Sequence, residues 1–113
     1  MIEKDPLHPI IDAPFNYDII GFNYQINRED PLKSYIDMTL QKDDVVRRLR
    51  FIGPRDLEIE KGFPMATAGM EILDVKSRQM TDINVWVNDF EASQGAVTFW
   101  AKSVIDLDKR HEL

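Results

Sequence analysis

Apolar and polar residues alternate with period two along much of this chain, the pattern of strands with one face buried. The alternation is cleanest in INVWVNDF, residues 83–90, where Ile83, Val85 and Val87 share one parity and Asn84, Trp86 and Asn88 the other. A tryptophan between two asparagines therefore occupies what should be the wet face of a strand. In GAVTFWAKSVIDL, residues 95–107, Val97, Phe99 and Ala101 share one parity and Thr98, Trp100 and Lys102 the other. EASQG joins the two segments, and its glycine supplies the positive φ that hairpin loops use. An odd-length loop that matches the apolar sets brings Trp86 and Trp100 to one face, directly opposed in one register and offset in the next.

Upstream, FNYDIIGFNYQI (15–26) changes phase in its middle: Phe15, Tyr17 and Ile19 have one parity, and Ile20, Phe22, Tyr24 and Ile26 the other. A one-residue shift beside Gly21 predicts a bulge or sharp bend in one long strand, and NREDP then closes it as a turn. The stretch 34–51 admits two readings. Asp30-Pro31 could open a helix with Leu32, Tyr35, Ile36 and Leu40 on one face. Two strands are preferred because a turn at Asp43-Asp44 sets Ile36 against Phe51 and Met38 against Leu49, while Asp37 meets Arg50 and Thr39 meets Arg48. A further hairpin turning at Gly53–Asp56, with proline at its favoured second position, would group Leu49 and Phe51 with Leu57 and Ile59. It would also align Asp37, Arg48, Arg50, Glu58 and Glu60 as a solvated charge ladder. KGFPMATAG (61–69) reads as a loop and MEILDVKS (70–77) as a short strand buried on both faces.

Seven or eight strands joined by short turns, with no convincing helix, predict an all-β fold: a single-domain antiparallel β-sandwich or flattened barrel. Residues 1–14, with Pro6, Pro9 and Pro14, read as an extended arm, residues 15–107 as the sandwich domain, and residues 108–113 as a charged tail.

Composition narrows the functions. The chain has 113 residues, 43% of them hydrophobic, which is too apolar for disorder and enough for one core. Its net charge of −6 disfavours binding to nucleic acid or to an anionic membrane and favours a basic partner, despite the local cluster Arg47, Arg48 and Arg50. With no cysteine there are no disulfides, thiolate zinc sites or thiol nucleophiles. No apolar run approaches the roughly 18 residues of a transmembrane helix, and the proline-rich start lacks the apolar block of a signal peptide, so a cytoplasmic location is expected. The closing RHEL reads as part of the charged tail.

Catalytic patterns are scarce. His8 and His111 lie near opposite ends, in segments expected to be mobile or exposed, and Ser34, Ser77, Ser93 and Ser103 have no base nearby in sequence. There is no nucleophile elbow, phosphate-binding glycine loop, HExxH or EF-hand pattern. Asp43 with Asp44, or Asp89 with Glu91, could supply part of a calcium site at one end of the sandwich, but no cofactor is expected. The most informative surface is the face carrying Asn84, Trp86, Asn88, Thr98, Trp100 and Lys102. It could be a satellite core under the arm or a loop, a protein interface (self-association included), or a sugar-stacking platform. The sequence reading is a non-catalytic protein-binding domain, in its concrete form a small acidic inhibitor or immunity-type protein covering a basic enzyme. The alternatives are a carbohydrate- or small-ligand-binding module, or a small hydrolase using Asp74, Asp82 or Asp89.

Overall fold

The computed structural model describes residues 5–64, 69–91 and 94–109. Ser93, His111 and most of the charged tail lie outside the described residues, as does part of the 61–69 loop.

The fold is all-β. Eight strands, β1 (Asp18–Gln25), β2 (Tyr35–Lys42), β3 (Val45–Ile52), β4 (Arg55–Ile59), β5 (Met70–Asp74), β6 (Val85–Asp89), β7 (Val97–Ala101) and β8 (Ser103–Asp106), form two antiparallel sheets ordered β1-β2-β3-β8 and β4-β7-β6-β5. Among the described residues only single turns of 3₁₀ helix interrupt them, and no helix there is long and apolar enough to cross a membrane.

The β2–β3 hairpin forms as its parity requires. Ile36 lies opposite Phe51, Asp37 opposite Arg50, Met38 opposite Leu49 and Thr39 opposite Arg48. Asp43, with φ 55°, turns the chain in the left-handed conformation that aspartate tolerates. The predicted bulge is also present: Ile19 pairs with Leu40 and Gly21 with Thr39, which leaves Ile20 as the extra residue. A Cβ on Gly21 would stand 3.1 Å from Thr39 Oγ1, a tight contact that the Thr39 side chain would have to yield a few tenths of an ångström to accept. β1 starts three residues later than its alternation suggests, because Pro14–Asn16 closes a 3₁₀ turn. Beyond β1, Asn27 Oδ1 accepts the N–H groups of Glu29 and Asp30, which fixes the expected turn.

The expected β3–β4 hairpin does not form. Gly53-Pro54 carries the chain from one sheet to the other, and Lys102 carries β7 into β8 beside it. One register runs through both crossings: Ile52 faces Ser103 before the corner and Arg55 faces Trp100 after it. The corner is therefore a two-stranded ribbon bent from one sheet into the other. Lys102 N–H donates to Ile52 O (2.8 Å) and Gly53 N–H to Ser34 O (2.8 Å) at the bend. Gly53 has φ 66°, and a Cβ there would press on Lys102.

This bend dismantles most of the charge ladder. Glu58 and Glu60 belong to the second sheet's side of the corner, away from Arg48 and Arg50. The Asp37–Arg50 pair holds, with hydrogen bonds of 2.7 and 2.9 Å and the guanidinium stacked 3.9 Å from the Tyr35 ring centre. Arg48 instead clamps Asp108 at 2.6 and 2.9 Å. Arg47 binds buried Asp106 (2.7 Å) and the carbonyl of Ile10 (2.8 Å).

The core lies between the sheets, with Ile36, Met38, Leu40, Leu49 and Phe51 from one and Ile72, Val85, Val87 and Phe99 from the other. Phe51 meets Phe99 edge to face at 5.0 Å. β5 is buried on both faces, as predicted, from Met70 to Leu73. Its outer edge is closed by the arm: Leu7 bridges Leu73, His8 N–H donates to Ile72 O, and Asp74 N–H donates to Pro6 O. His8 is thus half-buried against the sheet, contrary to the mobile or exposed placement expected for it.

Candidate binding surface

The β6–β7 pairing sets Trp86 directly opposite Trp100. The indoles stack with centroids 4.4 Å apart and planes 4° from parallel, and both are half-buried. On the β5 side, Trp86 lies next to Leu73, which is 2% exposed. Residues 75–84 fold back over this region, with Gln79 (φ 55°) and Asp82 (φ 57°) reversing the chain. Leu73, Val75 and Ile83 form a small second core, against which Met80 and both tryptophans pack. The satellite-core reading therefore holds on this side.

Arg78, from the same covering segment, has its guanidinium carbon 5.3 Å from the Trp86 ring centre and 5.8 Å from that of Trp100. A cation stacked on the far face of one ring would be a full ring spacing more distant from the other. The near-equal distances place Arg78 along the shared edge of the pair. Asp5 holds it there with contacts of 2.5 and 3.1 Å, and this hydrogen bonding keeps the Asp5 carboxyl below its ordinary pKa.

On the β4 side the pair is open. A groove of about 500 Å³ runs along it, with Asp56, Glu58, Thr98, Trp86 and Trp100 among its walls. Glu58 stands opposite Thr98, and the ladder slips by one residue between Arg55 and Glu58, at Asp56 (φ 56°). Among the described residues no lysine or arginine lines the groove; Arg55, across the ladder from Trp100, is exposed and is not one of its walls. Indole rings beside two carboxylates suit a positively charged side chain, and Arg78 already occupies the edge of the pair as such a cation. No family model, curated protein or solved structure matches this chain. The functional reading rests on this geometry.

Of the six residues predicted to share the face, the structure brings Trp86, Trp100 and Thr98 together at the groove. The other three serve elsewhere. Asn84 donates its side-chain amide to the carbonyl of Lys102 (2.9 Å) and so fixes the corner. Asn88 donates to Glu71 Oε1 (3.2 Å). Lys102 is exposed at the corner and borders a shallow hollow with His8, Lys76 and Asn84 instead. The carboxylates beside the indoles are Asp56 and Glu58; Asp74, Asp82 and Asp89 do not line the groove. Asp74 Oδ1 caps Lys76 N–H and Asp89 Oδ1 caps Glu91 N–H, both as local turn contacts. Among the described residues no three metal-ligating side chains converge.

The sequence reading missed a second concavity of about 430 Å³, between the docked arm and β5, with walls from Leu7, Ile11, Pro14, Phe15, Ile72 and Phe90. Its only sequence signal was the run of large apolar residues among the arm's prolines. His8 borders it; burial holds the imidazole pKa below its ordinary value, and Nδ1 accepts Ile10 N–H at 3.1 Å.

Proposed function

We propose that this chain is a non-catalytic protein-binding domain of the cytoplasm, whose second sheet presents Trp86 and Trp100 to a basic partner. One observation carries the reading: a stacked indole pair that is packed on one side and open on the other to a groove bearing Asp56 and Glu58. Tryptophan is enriched at binding hot spots. A pair already fixed by Leu73, Ile83 and its own stacking has little side-chain freedom left to lose on association. The net charge of −6 steers a basic partner toward the domain. In its concrete form the domain is an inhibitor or immunity-type protein, with an arginine or lysine of a basic enzyme seated in the groove. The sugar-platform reading keeps the stacking rings but loses the hydroxyl contacts expected from Asn84, Asn88 and Lys102, none of which lines the groove; Asp56, Glu58 and Thr98 would have to make them instead.

The test is purification of the complex followed by titration of its two components. The W86A/W100A variant should fold and lose the partner, and D56N/E58Q should weaken binding and flatten its salt dependence. A folded W86A/W100A variant that binds as the wild type does would overturn the proposal.

A further inference from the structure

We infer that the hollow beside the β7–β8 corner is a binding site for the phosphate group of a small phosphate monoester. Stretches far apart in the chain meet there: His8 from the arm, Lys76 just after β5, Asn84 just before β6, and Lys102 with Ser103 at the corner itself. Backbone hydrogen bonds set each stretch in place. His8 N–H donates to Ile72 O (2.8 Å), Val75 N–H to Asn84 O (2.9 Å) and Lys102 N–H to Ile52 O (2.8 Å). The hollow is therefore built in advance of any ligand.

The side chains gathered on its walls are hydrogen-bond donors. Lys102 is exposed, its ammonium carries three N–H groups, and no carboxylate among the described residues pairs with it. Lys76 keeps only a loose contact with Asp74 Oδ2 at 3.7 Å, longer than a hydrogen bond, so its ammonium can still donate to a closer anion. His8 Nδ1 accepts Ile10 N–H at 3.1 Å, which puts the proton of the neutral ring on Nε2. Ser103 adds a half-buried hydroxyl, and the Asn84 amide keeps one N–H beyond the one given to Lys102 O. Asp74, beside Lys76 and acting on His8, is the opposing charge, and the two ammonium groups outnumber it.

A phosphate monoester presents three strong acceptor oxygens and close to two negative charges at neutral pH, which matches donors arriving from several sides. A planar carboxylate offers two oxygens and one charge. The hollow encloses about 150 Å³, well below the roughly 300 Å³ at which sites for whole ligands begin, so it takes the head group and leaves the body of the ester outside. The net charge of −6 repels anions at long range, so affinity must come from these short contacts.

No described residue lines both this hollow and the Trp86–Trp100 groove, so its test reads different residues. Phenyl phosphate, inorganic phosphate and acetate would be titrated into the full chain at constant ionic strength and neutral pH. The His8 ring and the Lys102 and Ser103 amides would be followed by NMR. Both phosphates should saturate these signals, with acetate at least about tenfold weaker, as one charge-assisted hydrogen bond allows. Phenyl phosphate should bind at least as tightly as the free ion, which assigns the site to the ester; free phosphate binding while phenyl phosphate does not would overturn that assignment. Saturating phosphate should raise the His8 pKa, since an anion beside the ring favours its charged form. Lys102→Gln, at an exposed side chain, should weaken phenyl phosphate about tenfold. Lys33→Gln, between β1 and β2, removes the same charge elsewhere and should leave binding unchanged. Shifts that never saturate, acetate binding as tightly as phosphate, equal losses in the two lysine variants, or a His8 pKa unmoved by saturating phosphate would each overturn the inference.

Discussion

Stacking between Trp86 and Trp100 can be measured as a coupling energy. Truncating a fully buried Trp to Ala costs about 3–5 kcal/mol. Both indoles here are half-buried, and the groove side of the pair already faces water. Trp86, which adjoins Leu73 in the ladder, should therefore lose about 2 kcal/mol on truncation, and Trp100 about 1.5 kcal/mol. A stacked aromatic pair adds about 0.5–1.5 kcal/mol beyond its buried area. Once one ring is gone, the other has nothing left to stack on. The W86A/W100A variant should thus cost less than the two single changes together, by about 1 kcal/mol. Urea unfolding of the four proteins, followed by far-UV circular dichroism because the fluorophores are being removed, gives the cycle directly, provided the m-values agree. A coupling within about 0.3 kcal/mol of zero would refute the reasoning, since contacting residues should exceed the scatter of independent sites. The pair would then not be a prebuilt platform.

Phe51→Ala should cost about 3–5 kcal/mol in the same assay, because Phe51 is fully buried and its edge-to-face contact with Phe99 joins the two sheets. Gly69→Ala should cost about 1–3 kcal/mol despite adding only a methyl group: a Cβ there overlaps the Asp89 carboxylate that caps Glu91 N–H. The arm should loosen on acidification. His8 and Asp5 both have folded-state pKa values below their ordinary ones, so each contributes fully above its unfolded pKa and loses that contribution as pH falls, His8 below about 6.5 and Asp5 below about 4. Exchange of the His8 and Asp74 amide hydrogens, corrected for intrinsic chemistry, should become less protected across those windows, and His8→Gln should remove the upper one.

Where parity and turn chemistry acted over short distances, the sequence was readable. Asp43-Asp44 fixes the β2–β3 register to the residue, and the phase change at Gly21 marks a real bulge because an inserted residue must flip every later side chain. The same rule put Trp86 and Trp100 on one face but left them opposed or offset, and the register of the β6–β7 pair decides for opposition. The corner was not legible, because parity continues through it: a ribbon bent between sheets and a hairpin turning at Gly53–Asp56 show the same alternation. Glu58 was assigned to arginines on β3 for that reason, and its place beside Trp100 went unseen. The arm was opaque for a different reason. Its docking depends on pairs far apart in sequence, Leu7 with Leu73 and Asp5 with Arg78, and nothing local encodes them. The cleft beneath it was hidden with it.

The most direct measurement on the central claim is acrylamide quenching of the two indoles in the free chain, with its solution mass determined in parallel. An open groove predicts efficient, saturation-free quenching in a monomer, retained in the Trp86→Phe variant, which reports on Trp100 alone. Blue-shifted, quench-resistant emission from a monomer would contradict the account, because no face would then be left for a partner to reach.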